Sequence, residues 1–194
     1  MDGNARTRLV VMGASAGAIE TLSALLPELP PDFSAPLVIV VHLPQGRPSM
    51  LAGLFSIRCR LAVTEAEDKE RLDPGVVYFA PPGYHVLVER DASLSLDCDE
   101  PVNFSRPSID VLFQSAAMAF GPRVAAVLLT GASRDGAEGL AVVKSTGGIT
   151  IVQTPESAPS DVMPRAGIAA ANPDYVLPPR EIAELLSRLV PSQP

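Results

Sequence analysis

Ser15, His42 and Asp135 are the residue types that together can activate a hydroxyl nucleophile, and each follows an apolar run in the chain. Ser15 lies in Gly13-Ala14-Ser15-Ala16-Gly17, a G-x-S-x-G pattern between an apolar run and a segment with helical spacing. Small residues at such a corner permit a tight turn that exposes the hydroxyl. N–H groups at the start of the following helix would face the oxygen of a reacting carbonyl. A serine needs a base. The chain has two histidines, His42 and His85. His42 ends a buried apolar run, whereas His85 stands in a turn-rich segment and is the weaker candidate. A serine–histidine pair needs a third group to fix the imidazole tautomer and stabilise its charge. Asp135, in "LLTGASRDGAEG", stands at a third such end. The order Ser, His, Asp is no obstacle, because such triads are defined by geometry.

Other readings stay open on spacing alone. Gly13 to Ala18 departs from the dinucleotide fingerprint: Ser15 replaces its second glycine, and His42 stands where an acid would hold the ribose. No G-K-[ST] follows, so the P-loop pattern is missing too. A G-x-S-x-G is common by chance in a chain with 14 glycines, and the corner could be only a tight turn. Asp135 could serve as the N-cap of the helix after it.

The elements that must position these residues alternate. Strands are expected at 8–13, 36–44, 61–65, 123–131, 148–153 and 174–178. Helices are expected at 17–29, 48–57, 106–121, 134–148, 159–172 and 180–190. The first helix should turn Ile19, Leu22, Leu25, Leu26 and Leu29 to one face. Residues 74–97 are rich in turns and alternation, which predicts two or three short strands and a hairpin through "ERDAS". The pattern predicts a three-layer α/β/α, doubly wound domain: a mostly parallel sheet, helices on both faces and a small antiparallel hairpin. In such a sheet ligands bind at the carboxyl ends of the strands, where Ser15, His42 and Asp135 would lie.

With 194 residues and 47% apolar content, the chain suits one globular domain over 1–194 with its core at about 8–190. Its net charge of −7 and lack of a Lys/Arg cluster argue against nucleic acid as a partner. No apolar run approaches the ~20 residues of a membrane span, and "MDGNARTR" has no signal-peptide core, so a cytoplasmic location without membrane insertion is expected. Cys59 and Cys98 are far apart and read as free thiols, and no metal site is expected.

Several blocks in order, "GASAGAIETL", "VVHLPQG", "VYFAPPGYHVLV", "PVNFSRPSIDVLFQSAA", "LLTGASRDGAEGL" and "ITIVQTPESAPSDVMPRAGI", resemble the catalytic domain of chemotaxis protein-glutamate methylesterases, the CheB type. The resemblance runs from about residue 8 to residue 190. It implies Ser15 as nucleophile, His42 as general base and Asp135 as orienting acid, hydrolysing γ-glutamyl methyl esters of methyl-accepting chemoreceptors to release methanol. Some family members also deamidate receptor glutamines. No cofactor is implied. Backbone N–H groups of Ala16 and of the Ala132–Ser133 loop would hold the oxyanion, and Arg106 is a candidate for orienting substrate, with a structural salt bridge as the alternative.

The chain departs from the family pattern in two loops. The family usually has G-M-G-x-D-G where this chain has Gly131-Ala132-Ser133-Arg134-Asp135-Gly136, and a second glycine where this chain has Ala18. Many members also begin with a phosphorylatable receiver domain, whereas here the first strand starts at once. The expectation is a stand-alone, constitutively active domain or one trimmed from a longer chain. A second hypothesis, motivated by Ala132 and Ser133, is a catalytically degenerate module that docks on a receptor complex.

Overall fold

The computed structural model describes residues 7–43 and 49–190. Pro44, Gln45 and Gly46 of the "VVHLPQG" block, the end of the strand expected at 36–44 and the first residue of the helix expected at 48–57 lie outside the described residues.

Seven strands form one sheet in the order β3-β4-β2-β1-β7-β8-β9, and every neighbouring pair is parallel. They are β1 (Leu9–Ala14), β2 (Leu37–Val41), β3 (Ala62–Glu65), β4 (Val76–Phe79), β7 (Val124–Leu128), β8 (Ile149–Gln153) and β9 (Tyr175–Leu177). The helices are α1 (Ala18–Leu25), α2 (Leu51–Ser56), α3 (Ile109–Phe120), α4 (Ala137–Ser145), α5 (Val162–Ala171) and α6 (Pro179–Leu189). The remaining strands, β5 (His85–Val88) and β6 (Leu94–Asp97), pair antiparallel as a separate hairpin through Glu89–Ser93.

Alternation divides the core into two layers. In β1, Val10, Met12 and Ala14 face one layer with α1, α2 and α6. Leu9 and Val11 face the other, with α3, α4, α5 and the hairpin. A strand covered on both faces must be apolar at every position, which is why β1, β2 and β7 are buried throughout and read as unbroken apolar runs. Phe55 of α2 stacks on Phe79 of β4 at 5.5 Å between ring centres, tying helix to sheet on the first face.

The expected fold class is the observed one, and most elements fall within a few residues of their expected bounds. The turn-rich segment holds three short strands and the hairpin through Glu89–Ser93, as expected: β4 joins the large parallel sheet beside β2, and β5 and β6 form the hairpin. One detail differs. Ile19 is 51% exposed, outside the buried stripe of Ala18, Thr21, Leu22 and Leu25. At about 100° per residue, position 19 lies about 100° beyond position 18 and turns away from the sheet.

The chain moves outward from β1 through β2, then returns to the other side of β1 as β7. The carboxyl ends of β2, β1 and β7 therefore flank the point where strand order reverses, the place where open α/β sheets bind ligands.

Candidate functional site

The strand register brings the first two site residues together. Ala14 is the parallel partner of Val41, so Ser15 and His42 are the next residues beyond the paired ends. The His42 N–H donates to the Ala14 carbonyl at 3.1 Å, and the Ser15 N–H donates to the Thr130 carbonyl beyond β7 at 2.9 Å.

The corner at Ser15 depends on both glycines of its motif. A Cβ on Gly13 would lie 2.2 Å from the Ile109 side chain, so glycine lets α3 press onto β1. Gly17 has φ +85°, and a Cβ there would lie 2.7 Å from Pro159. The turn closes as the Ala18 N–H donates to the Ser15 carbonyl at 2.9 Å.

Buried polar side chains beneath the turn hold it in place. Thr130 Oγ1 donates to the Ala16 carbonyl at 2.8 Å and accepts from the Ser160 N–H at 3.0 Å. The Thr130 N–H in turn donates to Gln153 Oε1 at 2.8 Å. Thr130 and Gln153 are fully buried, and sequence reasoning missed both as supports of the site.

Asp135 lies in the loop between β7 and α4, fully buried. His42 Nε2 donates to its Oδ2 at 2.8 Å, across 93 residues of sequence. The Ile109 N–H also donates to Oδ2, at 2.7 Å. Oδ1 accepts from Ser108 Oγ at 2.8 Å, Asn103 Nδ2 at 3.1 Å and the Asp110 N–H at 3.2 Å. Asp135 therefore does not cap α4, whose N-cap is Gly136 without a side-chain bond. It caps α3 from a different part of the chain, taking the N–H groups of the first two helical residues. A carboxylate at a helix N-terminus gains from both the orphan N–H groups and the helix dipole.

Burial alone would raise the Asp135 pKa. Hydrogen bonds from His42, Ile109, Ser108 and Asn103 outweigh it and hold the carboxyl below its ordinary value. With Nε2 donating to an ionised Asp135, Nδ1 is the ring nitrogen not engaged by the carboxylate. This reverses the ring orientation of the serine proteases, in which Nδ1 faces the acid.

A second carboxylate stands beside the first. Asp110 is buried, with Oδ1 accepting from the Gly139 N–H at 2.6 Å and Oδ2 from Asn103 Nδ2 at 2.7 Å. Burial first, then the charges of Asp135 and Glu138, push its pKa up to about 6, against the lowering pull of Gly139 and Asn103. Asn103 and Asp110 were not singled out from the sequence, although both lie in the quoted "PVNFSRPSIDVLFQSAA" block.

The remaining candidates take different places. His85 is buried at the start of β5, its Nδ1 accepting from the Ser108 N–H at 3.1 Å and its Nε2 donating to the Glu100 carbonyl at 3.2 Å. It supports the start of α3. Arg106 Nη1 donates to the carbonyls of Cys98 and Asp99 at 2.6 and 2.8 Å, fastening the 98–106 loop to the end of the hairpin. Ala132 and Ser133 lie between Gly131 and Asp135, and Ser133 Oγ accepts from the Asp135 N–H at 3.4 Å. Cys59 and Cys98 are free thiols, and burial pushes Cys59 up to about 11. No helix among the described residues is long and apolar enough to cross a membrane.

A serine, a histidine and an ionised carboxylate at neighbouring strand ends of a doubly wound sheet form an arrangement suited to acyl transfer. Residues 10–186 match the model of one protein family, CheB methylesterase, and the chain belongs to that family. A relative from Leptospira interrogans is 44% identical over 180 residues, covering 93% of either chain. A relative from Anaeromyxobacter dehalogenans, named protein-glutamate methylesterase/protein-glutamine glutaminase 2, is 42% identical over 185 residues, which are 95% of this chain and 54% of that protein. The crystal structure of the Thermotoga maritima CheB methylesterase catalytic domain superposes with a TM-score of 0.90 at 36% identity, covering 95% of this chain and 99% of that one.

Proposed function

We propose that this chain is a protein-glutamate methylesterase that hydrolyses γ-glutamyl methyl esters of methyl-accepting chemoreceptors, with Ser15 as nucleophile, His42 as general base and Asp135 as orienting acid. The observation that carries the reading is the 2.8 Å bond from His42 Nε2 to a buried Asp135 that also caps α3. With Nε2 engaged by Asp135, Nδ1 is the ring nitrogen that this reading assigns to take the Ser15 proton.

In the first step Ser15 Oγ attacks the ester carbonyl and its proton passes to His42 Nδ1. The developing imidazolium is stabilised by Asp135, and the oxyanion by the N–H groups of Ala16 and the Ala132–Ser133 loop. His42 then protonates the departing methoxide, and methanol leaves a glutamyl-serine ester. Water, deprotonated by the same nitrogen, attacks that ester; His42 returns the proton to Ser15 Oγ as it leaves, and the receptor side chain ends as a glutamate carboxylate. Receptor glutamine would follow the same path with ammonia as the leaving group. Arg106 enters through the loop it fastens, and no cofactor takes part.

Nothing among the described residues favours the second hypothesis, a receptor-docking module without turnover. The test is methanol release from methylated receptor by the wild-type chain and by Ser15→Ala. Loss of a triad nucleophile lowers kcat by about 10⁴-fold or more. Release by the wild type that Ser15→Ala abolishes is the expected result; equal release by both overturns the assignment.

A further inference from the structure

Residues 102–105 form a tight turn closed by two backbone bonds. The Ser105 N–H donates to the Val102 carbonyl at 2.9 Å, and the Val102 N–H to the Ser105 carbonyl at 3.2 Å. Its central residues, Asn103 and Phe104, have φ of 51° and 60°. Positive φ at both centres is the signature of a type I′ turn, whose second central position favours glycine. This chain places phenylalanine there.

The fold gives no reason for that choice. Phe104 is 101% exposed, the most exposed large apolar side chain among the described residues. It buries nothing, and a bulky residue at φ of 60° is uncommon. The turn is nonetheless tightly placed: Asn103 Nδ2 donates to Asp110 at 2.7 Å and to Asp135 at 3.1 Å. One side chain of the turn thus reaches the acid that orients His42, and the next stands in solvent. Val102, in the same turn, is also exposed.

We propose that Phe104 is a specificity-determining residue that packs against apolar side chains of the receptor segment carrying the glutamyl ester. This rests on the functional reading above. The occupant is the substrate itself, because the neighbouring Asn103 ties this turn to the Asp135 carboxylate that also holds His42, which places the exposed ring on the loop next to the site. Exposed aromatic anchors of this kind commonly carry a large share of binding.

The test uses Phe104→Gly, which suits the turn better than the native residue and should fold at least as stably. Against methylated receptor, KM should rise about tenfold. The receptor kcat/KM should fall about tenfold further than the kcat/KM for a small acetate ester, with Phe104→Leu intermediate. Equal effects on the two substrates overturn the proposal. Fluorescence anisotropy of a methylated receptor segment on Ser15→Ala, with and without Phe104→Gly, separates this idea from the functional reading. If the wild type releases no methanol but binding to Ser15→Ala still weakens on loss of Phe104, the methylesterase reading falls and the contact stands. If binding is indifferent to Phe104, the contact falls.

Discussion

Asp110 and Asp135, both buried, are bridged by a single amide: Asn103 Nδ2 lies 2.7 Å from Asp110 Oδ2 and 3.1 Å from Asp135 Oδ1. Two carboxylates sharing one donor cannot both ionise cheaply. The structure resolves the conflict by giving Asp135 most of the donors, so its carboxyl is held low while that of Asp110 is pushed up to about 6.

This asymmetry has a signature in stability against pH. Asp110 has a folded pKa of about 6, above its ordinary 3.8, so the folded state binds the extra proton between those values. Its contribution is fully present below about 3.8 and is lost as pH rises through about 6. Asp135, held below its ordinary value, acts oppositely: its contribution is present above that value and is lost on acidification. Asp110→Asn should therefore flatten the fall in stability between about pH 4 and pH 6 while keeping the loss at lower pH. Urea unfolding midpoints across that range measure the difference, and parallel profiles for wild type and variant would contradict it.

Asp135→Asn should impair both folding and turnover. Five donors converge on this carboxylate, and an amide offers one acceptor oxygen and places an NH₂ against donors. A loss of about 3 kcal/mol in unfolding free energy is expected. Turnover should fall by about 10⁴-fold, as the imidazole loses its tautomer and its counter-charge. Methanol release measured well below the variant's unfolding transition separates the two effects.

Two glycine substitutions should move stability in opposite directions. Gly17→Ala forces a Cβ into the left-handed region and to within 2.7 Å of Pro159, so it should cost more than about 1 kcal/mol and displace the Ser15 turn. At Gly53 in α2 a new Cβ meets nothing within 4 Å. Gly53→Ala should stabilise by about 0.5–1 kcal/mol with the rate intact. Thermal unfolding alongside initial rates checks both.

The sequence revealed what depends on local pattern. Unbroken apolar runs marked β1, β2 and β7 because burial on both faces leaves no polar position. The residues after those runs were legible as candidates for the same reason, since the strand-end rule needs only the strands. The missed features depend on long-range packing. Asp135 stands directly before Gly136 and reads as the start of α4, yet its oxygens face α3, 26 residues earlier. Nothing local distinguishes the two. Asn103 looks like an ordinary turn asparagine, and its amide has meaning only once Asp110 and Asp135 are known to be neighbours. Thr130 and Gln153 support the Ser15 turn from adjacent strand ends, a role that no periodicity encodes. Ile19 falls within the apolar spacing of α1 yet is exposed, because the buried stripe is centred on Ala18, Leu22 and Leu25 and spacing alone does not fix that centre.

The central position of β1 also bears on how the chain assembles. Its two flanking strands are unequal in sequence distance: β2 follows after one helix, whereas β7 begins at Val124. Until β7 arrives, one edge of β1 presents unpaired N–H and C=O groups beside an apolar surface, the kind of template on which nascent chains associate. Non-local pairing of this sort slows folding. During synthesis the α1, α2 and β4 region can condense early, but Asp135 cannot reach His42 before the seventh strand has been made and docked. The bond between His42 and Asp135 therefore forms only once that edge of β1 has been covered by β7.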